Sequence, residues 1–496
     1  MDRTTLAWIA FGAYLAVTAW LAWLGHRKTD SLESFALGRR DMGPWLVGIT
    51  MGASLSSTAT FIINPGFVYA HGLSAFMHLG VAVGLGVAVA LFTLSPTFRK
   101  VGVQGSALSL PHWIGVRYRS TLLRVLFGAV NLLSIAFVVL IVGGVQIMLE
   151  QTLGLSPTAA LALTIGFVFS YILVGGTYAH TYTNTLQGIL MLVVALAIAV
   201  KTGGVLLQDG FLADLNARAP QLLAGVNPGS SLYNSVFSVY VAGFVVGFAV
   251  VCQPHLLTKA LYLKEDRDVK RYVQVTLGVT AIFFSLMLAG LAAHGTFAVG
   301  EVPQDRVMAA WLATQFGDSS FVLISVALVA AGMSTLDGIL VAMSTIASND
   351  LFLPIAERSF LKDRTPEARA RAAYRFGQCT LVAMGGIAFW ICYGQLPKYL
   401  GIFGQVGVYG ILAAAVGPVV LGVLRPEGEG LAGVAKAAAV VGAAVHFGLY
   451  FGGFDPNPGV TATWGIFAAG AVTALGAARV PRNGHAGGAA AEEVAS

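Results

Sequence analysis

Asp337 stands in the stretch Ala331-Gly332-Met333-Ser334-Thr335-Leu336-Asp337-Gly338, inside an apolar run from about residue 321 to 346. A carboxylate at the centre of a membrane helix costs roughly 2.5–3.5 kcal/mol on insertion scales, so it calls for a cation, a proton or a polar partner. Ala331, Ser334 and Thr335 fall at i, i+3 and i+4 and therefore share a helix face. Two hydroxyls with neighbouring backbone carbonyls suit a small hard cation, which prefers oxygen ligands. Helix–helix packing through small residues is the other reading of the same positions.

A second cluster runs from Thr50 through Ala53, Ser54, Ser56, Ser57, Thr58 and Thr60 to Asn64-Pro65-Gly66. Either each hydroxyl bonds a carbonyl one turn back, or the segment is unwound and its free carbonyls and hydroxyls hold ions and solute. Broken helices at the bilayer midplane build secondary-transporter sites, and Pro65, which lacks an N–H, is the expected weak point. A third element is Gln253-Pro254-His255, preceded by Val246 and Val250. It lines a cavity or marks a helix end. Asn184 and Gln187 lie one turn apart after Thr183 and, taken alone, read as interfacial polar residues. Of two further intramembrane histidines, His78 and His446, the first is the better candidate for facing a cavity, although packing explains either.

These residues need a scaffold, and composition specifies its class. The 496 residues are 56% hydrophobic and only 10% charged, with a mean hydropathy of +0.77. Soluble domains carry about 25% charged residues. An all-α polytopic membrane protein accounts for the excess. Thirteen spans are expected, near 6–25, 43–70, 73–97, 121–149, 156–177, 181–202, 234–262, 272–298, 319–348, 376–394, 400–424, 432–453 and 460–478. The first is long enough to span and lacks a convincing cleavage site, so it reads as a retained helix. With the N-terminus outside, 24 of the 29 basic residues fall in inner segments, as the positive-inside rule requires. Lys259 is counted among these end charges, and no Arg or Lys is expected within the core spans to pair a solute carboxylate. The net charge of +6 is thus an orientation device and requires no nucleic-acid partner. Cys252, Cys379 and Cys392 have no metal-like spacing and read as buried thiols. A short amphipathic helix is expected over the outer mouth from Arg306 to Phe316, and a disordered tail after Pro481.

Gly52-Ala53-Ser54, Gly175-Gly176 with Thr183-Asn184 and Gln187, Gln253-Pro254-His255, and Ala331 with Ser334-Thr335 resemble the solute:sodium symporter family. The resemblance runs in order over roughly residues 30–425. It implies a five-plus-five inverted repeat with broken helices, the second and seventh spans interrupted, and alternating access driven by sodium. The corresponding organisation is a first helix and basic loop (1–42), a symporter core (43–425, repeats near 43–202 and 234–425), two peripheral helices (426–480) and the tail (481–496). The family's common sodium site falls on the carbonyls of Ala53, Ser56 and Ala331 and the hydroxyls of Ser334 and Thr335. Solute is expected beside Ser57, Thr58, His78, Val246, Val250 and Gln253.

Three departures qualify the resemblance. Leu55 stands where proline-transporting members have an acid, and Val246 and Val250 stand where they present aromatics. The sixth-span acid of members with a second sodium site is Asn184 here, whereas Asp337 occupies a position where those members have serine. Asp337, Asn184 and Thr183 are therefore a candidate second cation or proton site, and a proton-coupled transporter using Asp337 is the alternative coupling. A membrane sensor of the same fold is disfavoured because nothing soluble follows residue 483. An enzyme is disfavoured because no nucleophile–base pair or acidic cluster shares a helix face. The expected protein is a multi-pass plasma-membrane symporter of a small organic solute, with sodium as coupling ion and no cofactor.

Overall fold

A computed structural model describes residues 2–27, 36–37, 42–425 and 430–480, apart from the side chains of 174–178. The expected basic positions Lys28, Arg39 and Arg40, the tail, and the side-chain surroundings of Gly175-Gly176 lie outside the described residues. What is described is helical, with one isolated parallel bridge between Met42 and Leu263.

The chain opens with α1 (Arg3–His26), capped by the Asp2 carboxylate, which accepts from Thr5 N at 3.2 Å. The second expected span is a bent pair, α2 (Pro44–Leu55) and α3 (Ala59–His71), meeting at 52°. Then follow α4 (Leu73–Gln104), the short α5 (Leu110–Arg117) and α6 (Thr121–Leu153). α7 (Pro157–Leu206) is helical through 50 residues and contains two apolar stretches, Pro157–Leu173 and Ala179–Leu206. After α8 (Phe211–Arg218) comes the second bent pair, α9 (Phe237–Val250) and α10 (Pro254–Tyr262), at 58°. The rest are α11 (Asp266–Gly295), α12 (Val307–Gln315), α13 (Asp318–Ala356), α14 (Pro366–Cys392), α15 (Leu400–Leu424), α16 (Ala432–Phe451) and α17 (Pro458–Arg479). Ser109, Ser120, Ser156 and Thr365 cap α5, α6, α7 and α14 through their hydroxyls, satisfying donors that a bilayer would leave bare.

Among the described residues, ten helices are long and apolar enough to cross a membrane, or up to twelve with each bent pair taken as one span. The remaining expected span, 156–177, forms the first part of α7, which continues as helix through to Leu206. Val193, Leu196 and Val200 form an exposed apolar stripe along α7, as a lipid-facing surface requires. α12 matches the expected helix near Arg306–Phe316, but Val307, Met308, Trp311 and Leu312 are buried rather than lying over a surface.

Proline does not mark the first break where expected. α2 stops at Leu55, Ser56 leaves the helix at φ −104°, ψ 75°, and the chain resumes as a π-turn over Ala59–Ile63. Pro65 sits in the first turn of Asn64–His71, where its missing N–H costs little. In the seventh span Gln253 is extended (φ −68°, ψ 142°) and Pro254 starts α10, so that break does lie at Gln-Pro-His.

Close backbone approach fixes α4 against α9. A Cβ at Gly86 would stand 2.1 Å from the Phe244 carbonyl oxygen, and one at Gly247 would stand 2.2 Å from that of Val83. Small residues allow such contacts between membrane helices. Gly247→Val is expected to destabilise the fold by about 1–3 kcal/mol or more, as overpacking does. A fall in monodisperse yield and melting temperature in detergent checks this; an unchanged melting temperature contradicts the close packing.

Outside the spans, Asp305 Oδ2 accepts the Leu400 N–H at 3.0 Å, anchoring the start of α15. Burial holds its carboxyl above the usual carboxylate range, against the opposing pull of the Leu400 N–H and Arg306. A carboxyl raised in the folded state favours folding most below its unfolded value and loses that contribution as pH rises through the folded one. Asp305→Asn, which keeps an acceptor for Leu400, is therefore expected to raise the melting temperature by a few degrees at neutral pH. The gain should vanish once the pH falls below the ordinary carboxylate value, which a melting-temperature series against pH reads directly.

Candidate functional site

The first break faces α13. Ala53, Ser56, Ala331, Ser334 and Thr335 are all 0% exposed. Thr335 Oγ1 lies 3.5 Å from the Ser54 carbonyl oxygen, reaching across from α13 to α2. Ser334 Oγ donates to the Ala331 carbonyl at 2.9 Å, so two of the expected ligand oxygens lie side by side. The reading in which every hydroxyl bonds back one turn holds for Thr50, which donates to Leu46 O at 2.6 Å. It fails at the break, where Ser54, Ser56 and Thr58 hydroxyls have no hydrogen-bond partner among the described residues. Unpaired buried oxygens beside an unwound turn form a donor set suited to a hard cation.

Beside the break is a cavity of about 110 Å³. Ser54, Ser57, Thr60 and Asn64 line it from α2, α3 and the turn between them, and Val246, Val250, Gln253 and His255 from α9, α10 and the second break. Phe137 and Leu140 of α6 and Gln405 and Tyr409 of α15 close it. Asp, Glu, Lys and Arg are all missing from the lining among the described residues. Ser57 Oγ accepts from Ala59 N at 3.1 Å, which steadies the resumption of the helix.

Two expected solute contacts do not line this cavity. His78 turns away: its Nδ1 lies 2.7 Å from the Ser238 carbonyl and its ring packs 5.1 Å from that of Tyr233. It fastens α4 to the start of α9. Thr58 is a wedge between α6 and α13: Cβ atoms added at Gly144 and Gly332 would come within 2.2 Å of its Cγ2 and 2.3 Å of its Oγ1, respectively. The two glycines leave a notch that its side chain fills. Conversely, Asn64, Phe137, His255, Gln405 and Tyr409 line the cavity although they were not anticipated as solute contacts. Asn64 and His255 belong to the Asn-Pro-Gly and Gln-Pro-His elements singled out in the sequence, whereas Phe137, Gln405 and Tyr409 carry no such signal.

Asp337 is fully buried and faces α7. One carboxylate oxygen accepts from the Tyr171 hydroxyl, the other from Thr183 Oγ1 at 3.2 Å. Asn184 Nδ2 approaches the Ser334 carbonyl at 3.4 Å, while Asn184 Oδ1 has no partner among the described residues. Asp337, Thr183 and Asn184 thus meet across α7 and α13. Asn184 and Gln187 are not interfacial; both are 0% exposed, and Gln187 Nε2 donates to the Tyr14 hydroxyl at 2.9 Å. Lys259 corrects a further expectation. It is a fully buried residue of α10, with Nζ 3.0 Å from His180 Nε2, rather than a solvated end charge. Its partner lies 79 positions away, which no local pattern discloses.

The sequence profile described as the sodium:solute symporter family matches residues 35–424. A sodium/pantothenate symporter of Haemophilus influenzae is 26% identical over 359 residues, covering 70% of this chain and 71% of that one. A sodium/proline symporter of Staphylococcus aureus is 25% identical over 462 residues, covering 90% and 86%. Among solved structures, a Na+-coupled sialic acid symporter in a substrate-bound outward-open state superposes with a TM-score of 0.78 at 16% identity, over 97% of this chain and 99% of that one. Mhp1, a nucleobase-cation-symport-1 family transporter, gives 0.55 at 13% identity, over 90% and 94%.

Proposed function

Because the chain belongs to the sodium:solute symporter family, we propose that it imports a small organic solute by sodium-coupled symport with alternating access. The observation that carries this reading is the unwound turn after Leu55: the Ser54, Ser56 and Thr58 hydroxyls around it are unpaired among the described residues, Thr335 of α13 reaches the Ser54 carbonyl, and Ser54 and Ser57 line the cavity. Sodium held by the Ala53, Ser56 and Ala331 carbonyls and the Ser334 and Thr335 hydroxyls would tie α2 to α13. An ion that binds one conformation more tightly than another shifts the balance between them. The solute then meets Ser57, Val246, Val250 and Gln253 next to the same turn.

The cavity's chemistry suggests the solute class. Its walls are apolar at Val246, Val250, Phe137 and Leu140, with amides and hydroxyls at the breaks. A compact solute with one polar head fits, such as a monocarboxylate, an amino acid or a related metabolite. With the N-terminus outside and the C-terminus in the cytoplasm, most of the basic residues face inward. A sodium ion entering through 100 mV contributes about 2.3 kcal/mol before its concentration gradient is counted. Asp337 with Thr183 and Asn184 stands one turn past the sodium ligands, and its carboxylate requires a counter-cation.

Melting curves of the purified protein with metabolite pools, in sodium or choline medium, test this reading. A small monocarboxylate or amino acid is expected to stabilise the protein in sodium only. Equal stabilisation in both media would overturn sodium coupling.

A further inference from the structure

We propose that Lys259 is a tethered counter-cation for Asp337, holding the charge that a second coupling ion would otherwise supply, so that the protein couples through one sodium. This inference rests on the sodium-symport reading and specifies its stoichiometry.

Two opposite charges are buried in one neighbourhood. Asp337 comes from α13 and Lys259 from α10, both 0% exposed, and both reach the same turn of α7: Asp337 at Thr183 and Lys259 at His180, whose Nε2 would also lie 3.6 Å from a Cβ at Gly338, the neighbour of Asp337. Neither charge is stable so far from water unless the other, or an ion, balances it. The connection between them runs through α7. Lys259 Nζ is 3.0 Å from His180 Nε2, Asn184 Nδ2 is 3.4 Å from the same nitrogen, and Thr183 donates to Asp337. An ammonium has only donors, so His180 Nε2 accepts and the ring's proton sits on Nδ1. The other titratable groups around the cluster are Tyr171 on α7, bonded to Asp337, Tyr14 on α1, bonded to Gln187, and His255 on α10, beside the cavity.

Lys259 does not line the cavity, so it is not placed to hold a solute carboxylate. His180 and Asn184 link it to the backbone of Ser334, since Asn184 approaches both His180 and the Ser334 carbonyl. The unpartnered Asn184 Oδ1, with Asp337 and Thr183 Oγ1, is an oxygen set that becomes available to a metal ion once the ammonium is removed.

Equilibrium binding of radioactive sodium alone to the purified full chain tests the proposal. Wild type is expected to saturate at one sodium per chain. Lys259→Met should double this, with a Hill coefficient moving from one towards two, whereas Lys259→Arg should remain at one. Lys259→Met/Asp337→Asn, which removes both charges, should return to one. One sodium in a stable Lys259→Met protein, or two in the wild type, would overturn the proposal while leaving symport intact. A wild type that binds no sodium would overturn the symport reading as well. If Lys259→Met is too unstable to measure, the double variant must melt above the single one; a double variant that is no more stable contradicts the charge pairing.

Discussion

Ser334→Ala/Thr335→Ala is expected to raise the sodium concentration needed for half-maximal uptake by roughly a hundredfold or more. Each interaction of an oxygen with a charged group is worth on the order of 1.5–3 kcal/mol, and about 1.4 kcal/mol is tenfold in affinity. Both side chains are fully buried, Thr335 reaching the Ser54 carbonyl of α2 and Ser334 bonding the Ala331 carbonyl, so water does not take their place. Solute affinity at saturating sodium should change far less, because neither residue lines the cavity. Thr335→Ser, which keeps the hydroxyl, should retain near-normal sodium dependence. Sodium titrations of initial uptake read both variants; an unchanged titration for the double alanine variant removes these hydroxyls from the ion site.

Val246→Trp is the second large effect. Val246 lines the cavity from α9, opposite the hydroxyls of the first break. The space is about 110 Å³, and a water molecule's share of liquid volume is about 30 Å³, so an indole leaves little room for a solute. Uptake is expected to fall by roughly tenfold or more, since a steric penalty of about 1.4 kcal/mol is enough for that. Stabilisation by sodium alone should persist, because the ion ligands lie on α13 and the backbone of α2. Uptake equal to wild type would show that solute takes another route. Loss of both uptake and sodium stabilisation would show that the two sites are not separable.

The elements around the site were legible to different degrees. Hydropathy located the spans because lipid leaves backbone groups no partners outside helices or closed barrels. The dense hydroxyls between Ser54 and Thr60 marked the first break better than Pro65 did. Proline is tolerated at a helix start, and Pro65 and Pro254 both lie in the first turn of a helix. Small residues in the ninth span admitted both an ion site and a packing face, and Gly332 serves packing through Thr58 while Thr335 reaches the Ser54 carbonyl at the break. Relations between distant positions were not legible. His78 takes its partner from Ser238, and Lys259 takes its own from His180, so one leaves the cavity and the other leaves solvent. Counting basic residues near span ends cannot separate a buried ammonium from a solvated one. Phe137, Gln405 and Tyr409 line the cavity from helices whose sequences carry no cluster of polar residues there.

Uphill accumulation in proteoliposomes tests the central claim most directly. With the stabilising solute at equal concentration on both sides, an imposed inward sodium gradient should drive transient accumulation above equilibrium. A sodium ionophore should abolish it, and an equal potassium gradient should fail to replace it. Equilibration without accumulation, or accumulation indifferent to the sodium gradient, would contradict sodium-coupled symport.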